Sequence, residues 1–308
     1  MKQKKIFATA DFSPTQAELE ILRTYKKRSQ LTEIWRRLRK NKAAVLGLIM
    51  LSIIFLAAIF AHVLYDYDTV VIQPDYSSTL LFPCAEHPLG TDELGRDVLA
   101  RIIHGTRLSL TIALLSTICS LSIGGIIGAY AGYIGGKFDS IIMRVMDIFL
   151  AIPNMLLALA IVAALGPNLI NLIIAIAISD IPRFARILRS TVLSIKDSDF
   201  VEAARAAGAK RSTIVFREII PNCLAPIIVQ ASIVMAAAII LAAGLSFIGL
   251  GVQPPAPEWG AMLSSGREYI RDYQYLVLFP GLAIVITVLA FNLLGDGLRD
   301  ALDPRLKQ

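Results

Sequence analysis

The chain has 308 residues, 56% hydrophobic and 18% charged, with a formal net charge of +6. A soluble domain of this length is about 45–50% apolar and carries more charge, so this composition, with a mean hydropathy of +0.64, excludes an ordinary soluble fold and indicates a membrane protein. The positive residues lie beside apolar runs, which reads as a membrane-topology signal and argues against nucleic acid as a partner.

In chain order, residues 1–42 read as a cytoplasmic N-terminal segment with a basic flank. No cleavable signal peptide is evident, because the first apolar run is long enough to span. The stretch 31–42, with Trp35, has two readings: a basic amphipathic helix lying on anionic membrane lipid, or a plain positive-inside flank. The first predicted span is 43–65, about 35 Å at 1.5 Å per residue, which crosses a bilayer with modest tilt. It and the following extracytoplasmic loop form the unit 43–107. In that loop Asp92, Arg96 and Asp97 either contact a partner on that side or cap and pin the start of the second span.

Five further spans make up a transmembrane domain, 108–296. The second, 108–133, carries Gly124, Gly128 and Gly132 four apart. This is a ridge that lets another helix approach closely; the alternative is a flexible end to the span, running into Gly135-Gly136. The third span is 141–165. At its cytoplasmic start Arg144 and Asp147, three apart, can pair on one helix face, either as a gate or as an interfacial anchor. The fourth, 169–187, is the weakest, being interrupted by Asp180, Pro182 and Arg183. The fifth is 226–250 and the sixth 275–294. Pro153 and Pro280 lie inside spans and are expected to kink them.

Lysine and arginine set the orientation. With six spans, the N-terminal segment, the loop 188–225, the tail 297–308 and the turn holding Lys137 and Arg144 share one side. Counting Arg183 and Arg186 at the end of the fourth span with that loop, this side takes 25 of the 30 positives, so both termini are expected in the cytoplasm.

Between the fourth and fifth spans lies a charged, helix-prone island, EAARAAGAKRSTIVFREIIP, residues 202–221. Asp197, Ser198 or Asp199 can cap its first helix, where Glu202 favours the dipole. Ala203, Ala204, Ala206 and Ala207 are strong helix formers with little bulk, and such a face can lie flat in a partner's groove. Gly208 can end that helix in the left-handed conformation. Ser212 or Thr213 can cap a second short helix, which Pro221 should stop from extending unbroken. The predicted product is a cytosolic elbow; the plain alternative is an ordinary amphipathic loop.

Glu202-Ala203-Ala204, with Gly208 and Pro221 at their spacing, resembles the EAA motif of ABC-importer permeases. Ile220 stands where leucine is usual, and Glu218 where isoleucine is preferred. HPLGTDELGRDVLARIIHGTRLSL (87–110), PPAPEWGAML (254–263) and FNLLGDGLRDALDPRL (291–306) are similar to the dipeptide/oligopeptide/nickel permease family, and among its subunits to the dipeptide-permease C type. The resemblance covers nearly the whole chain. It implies an all-α membrane protein of type I ABC importer permease fold, multi-pass in a prokaryotic inner membrane. It further implies a second, B-type permease subunit, two ABC ATPase subunits and an extracytoplasmic substrate-binding protein as partners. The coupling residues it implies are Glu202, Ala203, Ala204, Arg205, Ala207, Gly208 and Pro221. The loops 66–107 and 251–274 are expected to meet the binding protein.

The sequence offers little chemistry of its own. His62, His87 and His104 have no metal-ligand spacing, and no phosphate-binding GxxxxGK[ST] loop is present. No cofactor is expected on this chain; ATP and Mg are expected on the partner subunits. No cluster of intramembrane carboxylates resembles a proton relay, which weakens the rival secondary transporter. Cys84, Cys119 and Cys223 read as free thiols.

Overall fold

The computed structural model describes residues 35–302. Expectations for 1–34, including the start of the stretch 31–42, and for Arg305 and Lys307 in the tail lie outside the described residues. The described part is helical, with one isolated bridge between Thr91 and Asp97.

Helix α1, Lys42–Leu64, is capped by Asn41, whose side chain accepts from the amides of Ala43 and Ala44. Helix α2, Val98–Ile134, starts ten residues before the predicted second span, because Asp97 caps it by accepting from Ala100 N. Gly135 and Gly136 have φ of +69° and +61°. They turn the chain sharply into α3, Gly136–Ala151, so this glycine pair makes a reversal.

The predicted third span is two helices. α3 ends at Ala151, Pro153 lies in the break, and α4, Asn154–Leu165, leaves at 88°. A proline supplies no amide to the ladder and biases the preceding residue to extended backbone; Ile152 is extended there. The expected interruption of the fourth span does not occur. α5 runs unbroken over Leu169–Ile195 with Pro182 inside it. Transmembrane helices tolerate proline where neighbours re-satisfy the freed backbone, and Pro182 is buried among them.

α6, Asp199–Ala206, begins the elbow, and α7, Leu224–Phe247, follows it. A short helix, α8, Trp259–Gly266, leads to α9, Tyr275–Leu302. Pro280 lies within α9 without ending it. Among the described residues, four helices (α1, α2, α7, α9) are long and apolar enough to cross a membrane, or five if α3 and α4 form one bent span. α5 falls short on charge, because it carries Asp180, Arg183, Arg186 and Arg189.

The main core joins α2, α4, α5, α7, α8 and α9 through Ile112, Val162, Leu172, Ile176, Ile239, Leu245, Trp259, Leu276 and Phe291. A second cluster, Ala129, Leu188, Val192, Val201, Ile214, Val215, Ile219 and Cys223, seats the elbow on the C-terminal ends of α2 and α5. Many large apolar side chains stay exposed, among them Ile53, Ile59 and Val63 on α1, as lipid or further subunits require.

Candidate functional site

The elbow is built from its caps inward. Ser198 occupies the N-cap position of α6 but makes no side-chain cap; its hydroxyl donates instead to Ile195 O at 2.6 Å. Asp199 and Glu202 fill the first turn, where the dipole favours negative charge. At the other end Ala209 N donates to Ala204 O (3.1 Å) and Gly208 N to Arg205 O (2.9 Å). That pair of bonds is a Schellman termination, with Gly208 at φ +75° in the left-handed position.

The second limb is not a capped helix stopped by Pro221. Lys210, not Ser212 or Thr213, is at its N-cap position. A turn at Arg211–Thr213 passes into a π-helical stretch, Ile214–Ile219, and then a turn at Ile220–Asn222 that contains Pro221. The wider π register precedes the residue that has no amide to give. The helical path therefore continues past Pro221 and breaks only at Cys223 before α7.

Burial sorts the elbow residues into two faces. Val201, Ile214, Val215 and Ile219 point inward. Glu202, Ala203, Ala206, Ala207, Gly208 and Pro221 are exposed, and Ala204 is half-buried. Positions 202, 203, 206 and 207 share one helical side. Arg205 is exposed as well, and it also makes contacts back to the fold. Its guanidinium turns back over the Tyr133 ring, 5.2 Å from the centroid, and donates to Tyr133 Oη (3.4 Å) and Lys196 O (3.3 Å). The Tyr133 hydrogen bond raises the Arg205 pKa. Arg205 thus braces the elbow against the end of α2 while remaining at the surface.

Gly124, Gly128 and Gly132 line the side of α2 that faces α5. A Cβ at Gly124 would meet Ile181 O at 2.4 Å, one at Gly128 would meet Ala185 O at 2.1 Å, and one at Gly132 would meet Arg189 O at 2.9 Å. The two backbones are therefore as close as glycine allows.

The Arg144–Asp147 pair expected from spacing is absent. Asp147 accepts from Arg186 of α5 at 2.6 Å, and Arg144 is exposed with no ion pair among the described residues. The crossing with α5 brings a guanidinium to Asp147 from the side, an approach that periodicity within α3 does not encode. One turn further along α5, Arg189 forks onto both oxygens of Asp139 at 2.6 Å.

Just before and at the start of α2, Asp92, Arg96 and Asp97 are 6%, 5% and 5% exposed. Asp92 accepts from Arg96 Nε (2.8 Å), from the amides of Leu94 and Arg96, and faces Arg101 Nε at 3.3 Å. Asp97 caps α2 and lies 2.8 Å from His87 Nδ1. These geometries serve the local role, and little of any of the three side chains reaches the surface. Sequence reasoning missed the rest of this cap. Arg101 Nη1 donates to Val71 O (2.8 Å). Trp259 Nε1 donates to Ile102 O (3.1 Å), and the two oxygens of buried Glu258 accept from Gly260 N and Ala261 N (2.9 Å each). Tyr275 Oη lies 2.8 Å from the carbonyls of Leu81 and Thr91. The signal was present in the motifs 87–110 and 254–263, which join here although about 150 residues separate them.

Residues 124–308 match the family described as binding-protein-dependent transport system inner membrane component, and residues 29–83 match the N-terminal transmembrane domain of oligopeptide transport permease C. The chain is 49% identical over 275 residues to the dipeptide transport system permease protein DppC of Alkalihalophilus pseudofirmus, covering 89% of this chain and 90% of that one. It is 49% identical over 286 residues to the di/tripeptide transport system permease protein DppC of Pseudomonas aeruginosa, covering 91% and 93%. Among solved structures it shares its fold with a chain of the MetNI methionine ABC transporter in inward-facing conformations. The TM-score is 0.55 at 20% identity, over 66% of this chain and 96% of that one. With its helical fold, apolar spans and near full-length relatives, this chain belongs to the binding-protein-dependent transport system inner membrane component family of ABC importer permeases.

Proposed function

We propose that the chain is one of two non-identical permease subunits of an ATP-driven importer that carries peptides, di- or oligopeptides, into the cytoplasm. Near full-length similarity to dipeptide and di/tripeptide permeases is the observation that carries this reading. On this reading α1, α2, the bent pair α3–α4, α5, α7 and α9 make six spans, with α5 the charged one, and both termini lie in the cytoplasm. Two ATPase subunits, which hold ATP and Mg, dock below, one on each permease elbow. An extracytoplasmic binding protein delivers peptide from above to a path between the two permeases.

The elbow supports the coupling role physically. The side formed by Glu202 and the small residues Ala203, Ala206 and Ala207 is exposed, while the opposite side is packed on α2 and α5. A contact there is rigidly tied to the spans, so a partner that binds differently with and without ATP shifts their equilibrium. Chemistry stays with the ATPases, and this chain is a conduit rather than an enzyme.

The test is uptake of labelled dipeptide into vesicles holding the complete assembly with its binding protein. ATP-dependent, vanadate-sensitive uptake supports the proposal. Uptake by this chain without ATPase subunits, unaffected by vanadate, would establish a secondary transporter in its place.

A further inference from the structure

The α3–α5 crossing carries charge where an apolar face is expected. Three arginines recur every three residues on α5, and each has its own carboxylate: Arg183 with Asp180 at 3.3 Å, Arg186 with Asp147 at 2.6 Å, and Arg189 with Asp139 at 2.6 Å. Asn154, the first residue of α4 after the break, donates to Asp180 at 3.2 Å. The series descends α5 for about 14 Å from Asp180 to Arg189 at 1.5 Å per residue.

Exposure along the series separates its members. The Asp180 side chain is 3% exposed, Arg183 37%, Arg186 57% and Asp147 60%, while Arg189 and Asp139 fall back to 32% and 13%. Asp180 and Asp139 are thus held inside the fold, whereas the Asp147–Arg186 pair stands open in the middle. Around it α3 exposes Ile141, Val145 and Ile148. An ionised pair beside such residues is poorly placed against lipid, where unsolvated charge is costly and charged side chains turn to the bundle interior or to water.

We propose that the Asp147–Arg186 pair lines the aqueous path and is a transit contact for the charged ends of a zwitterionic peptide. This rests on the importer reading above. The chemistry of the series selects that class of cargo. Within the three pairs each carboxylate has an arginine, so the open pair is itself neutral and offers both signs, with exposed Arg144 one turn away as a further cation. A peptide that carries both an ammonium and a carboxylate can exchange partners with an open pair: its ammonium takes Asp147 while its carboxylate takes Arg186. Buried Asp180, held by Asn154 and Arg183, fixes α4 against α5 and so positions the open pair beside the hinge at Pro153.

Single cysteines test this in the complete importer, in a background lacking exposed Cys84 and Cys119, with a charged, membrane-impermeant thiosulfonate as the probe. Asp147→Cys and Arg186→Cys are compared with Lys137→Cys, which is exposed at the cytoplasmic start of α3. Arg144→Cys, one turn from Asp147, leaves the ion pair intact if the first two variants assemble poorly. The expected result is reaction at 144, 147 and 186 in the nucleotide-free state. It should slow about tenfold or more when ATP and vanadate trap the other state, as a population shift requires, while 137 is unchanged. Saturating dipeptide should also slow 147 and 186. No reaction at 144, 147 and 186 in either state, or reaction that tracks 137 throughout, would overturn the proposal by placing the pair in a dry subunit contact, against lipid or at the plain cytoplasmic surface. Wild-type uptake measured in the same vesicles separates the two readings. Loss of ATP-dependent uptake there speaks against the importer itself, and intact uptake with state-independent labelling speaks against this inference alone.

Discussion

At the start of α2, the end that the importer reading places externally, Asp92, Arg96, Asp97 and Arg101 are buried and spend their hydrogen bonds on one another, on the start of α2 and on the 66–75 loop. On the elbow, Glu202 and the alanines beside it are exposed, and only Arg205 turns back to the fold. Both regions are charged, helix-capping segments next to apolar spans. They differ in where the charge is satisfied. A buried network gains little over an apolar core but is costly to break, so the external cap behaves as structure. Charge left at the surface costs little to change in the folded chain, so substitutions on the elbow act through whatever docks there.

The largest effect is expected where the external network loses its acceptor. Asp92→Leu leaves Arg96 and Arg101 buried without their shared partner, a cost of about 3–5 kcal/mol. Thermal melting of the detergent-solubilised chain should drop markedly, and an unchanged midpoint would erase the contrast between the two ends. Next comes the helix contact that carries both regions. At Gly128→Val a Cβ falls 2.1 Å from Ala185 O, and overpacking costs about 1–3 kcal/mol or more. Here both melting temperature and uptake should fall together.

Gly208→Pro sharpens the comparison from the other side. A proline cannot adopt φ +75° or donate to Arg205 O. Nothing lies within 4 Å of a Cβ there, so the strain stays local. Insertion and melting should stay near wild type while coupled uptake is lost. Glu202→Lys, with its charge reversed at an exposed first-turn position, should likewise abolish coupled uptake with insertion intact, and wild-type uptake and ATPase stimulation in both would remove the elbow from the mechanism. The smallest effect is expected at Cys223. Burial pushes its thiol up to about 11. It is therefore protonated at neutral pH, and it should label with maleimide far more slowly than exposed Cys84.

The sequence made these regions legible to different depths. Periodicity and length located α1, α7 and α9 within a few residues of their observed starts, because a run of apolar residues has few alternatives in a bilayer. The Gly208 termination was readable because only the local chain decides it. A kink at Pro153 was readable from the residue type; its right-angle size and three further features were not. The right-angle break at Pro153 and the uninterrupted passage through Pro182 involve the same residue type, and the surrounding helices decide between them. The π stretch before Pro221 is a register choice with no compositional mark. Asp147 has Arg186 as its partner, 39 residues on, where spacing offered Arg144. In the external cap, two recognisable motifs were on the page, but their union through Arg101, Trp259 and Glu258 is a tertiary fact.

The most direct test of the account places a single cysteine at Ala206, on the exposed side of α6, with Cys84 and Cys119 removed. The assembly is then crosslinked in its native membrane with a short maleimide–diazirine reagent, whose maleimide adds to the thiol at 206 and whose diazirine inserts into any adjacent chain on illumination, and the product is identified by mass spectrometry. The account predicts that the partner is an ABC ATPase subunit, and that ATP with vanadate changes the crosslinking yield. Recovery of the intact chain with no partner joined at 206, or with an attachment indifferent to nucleotide, would contradict it.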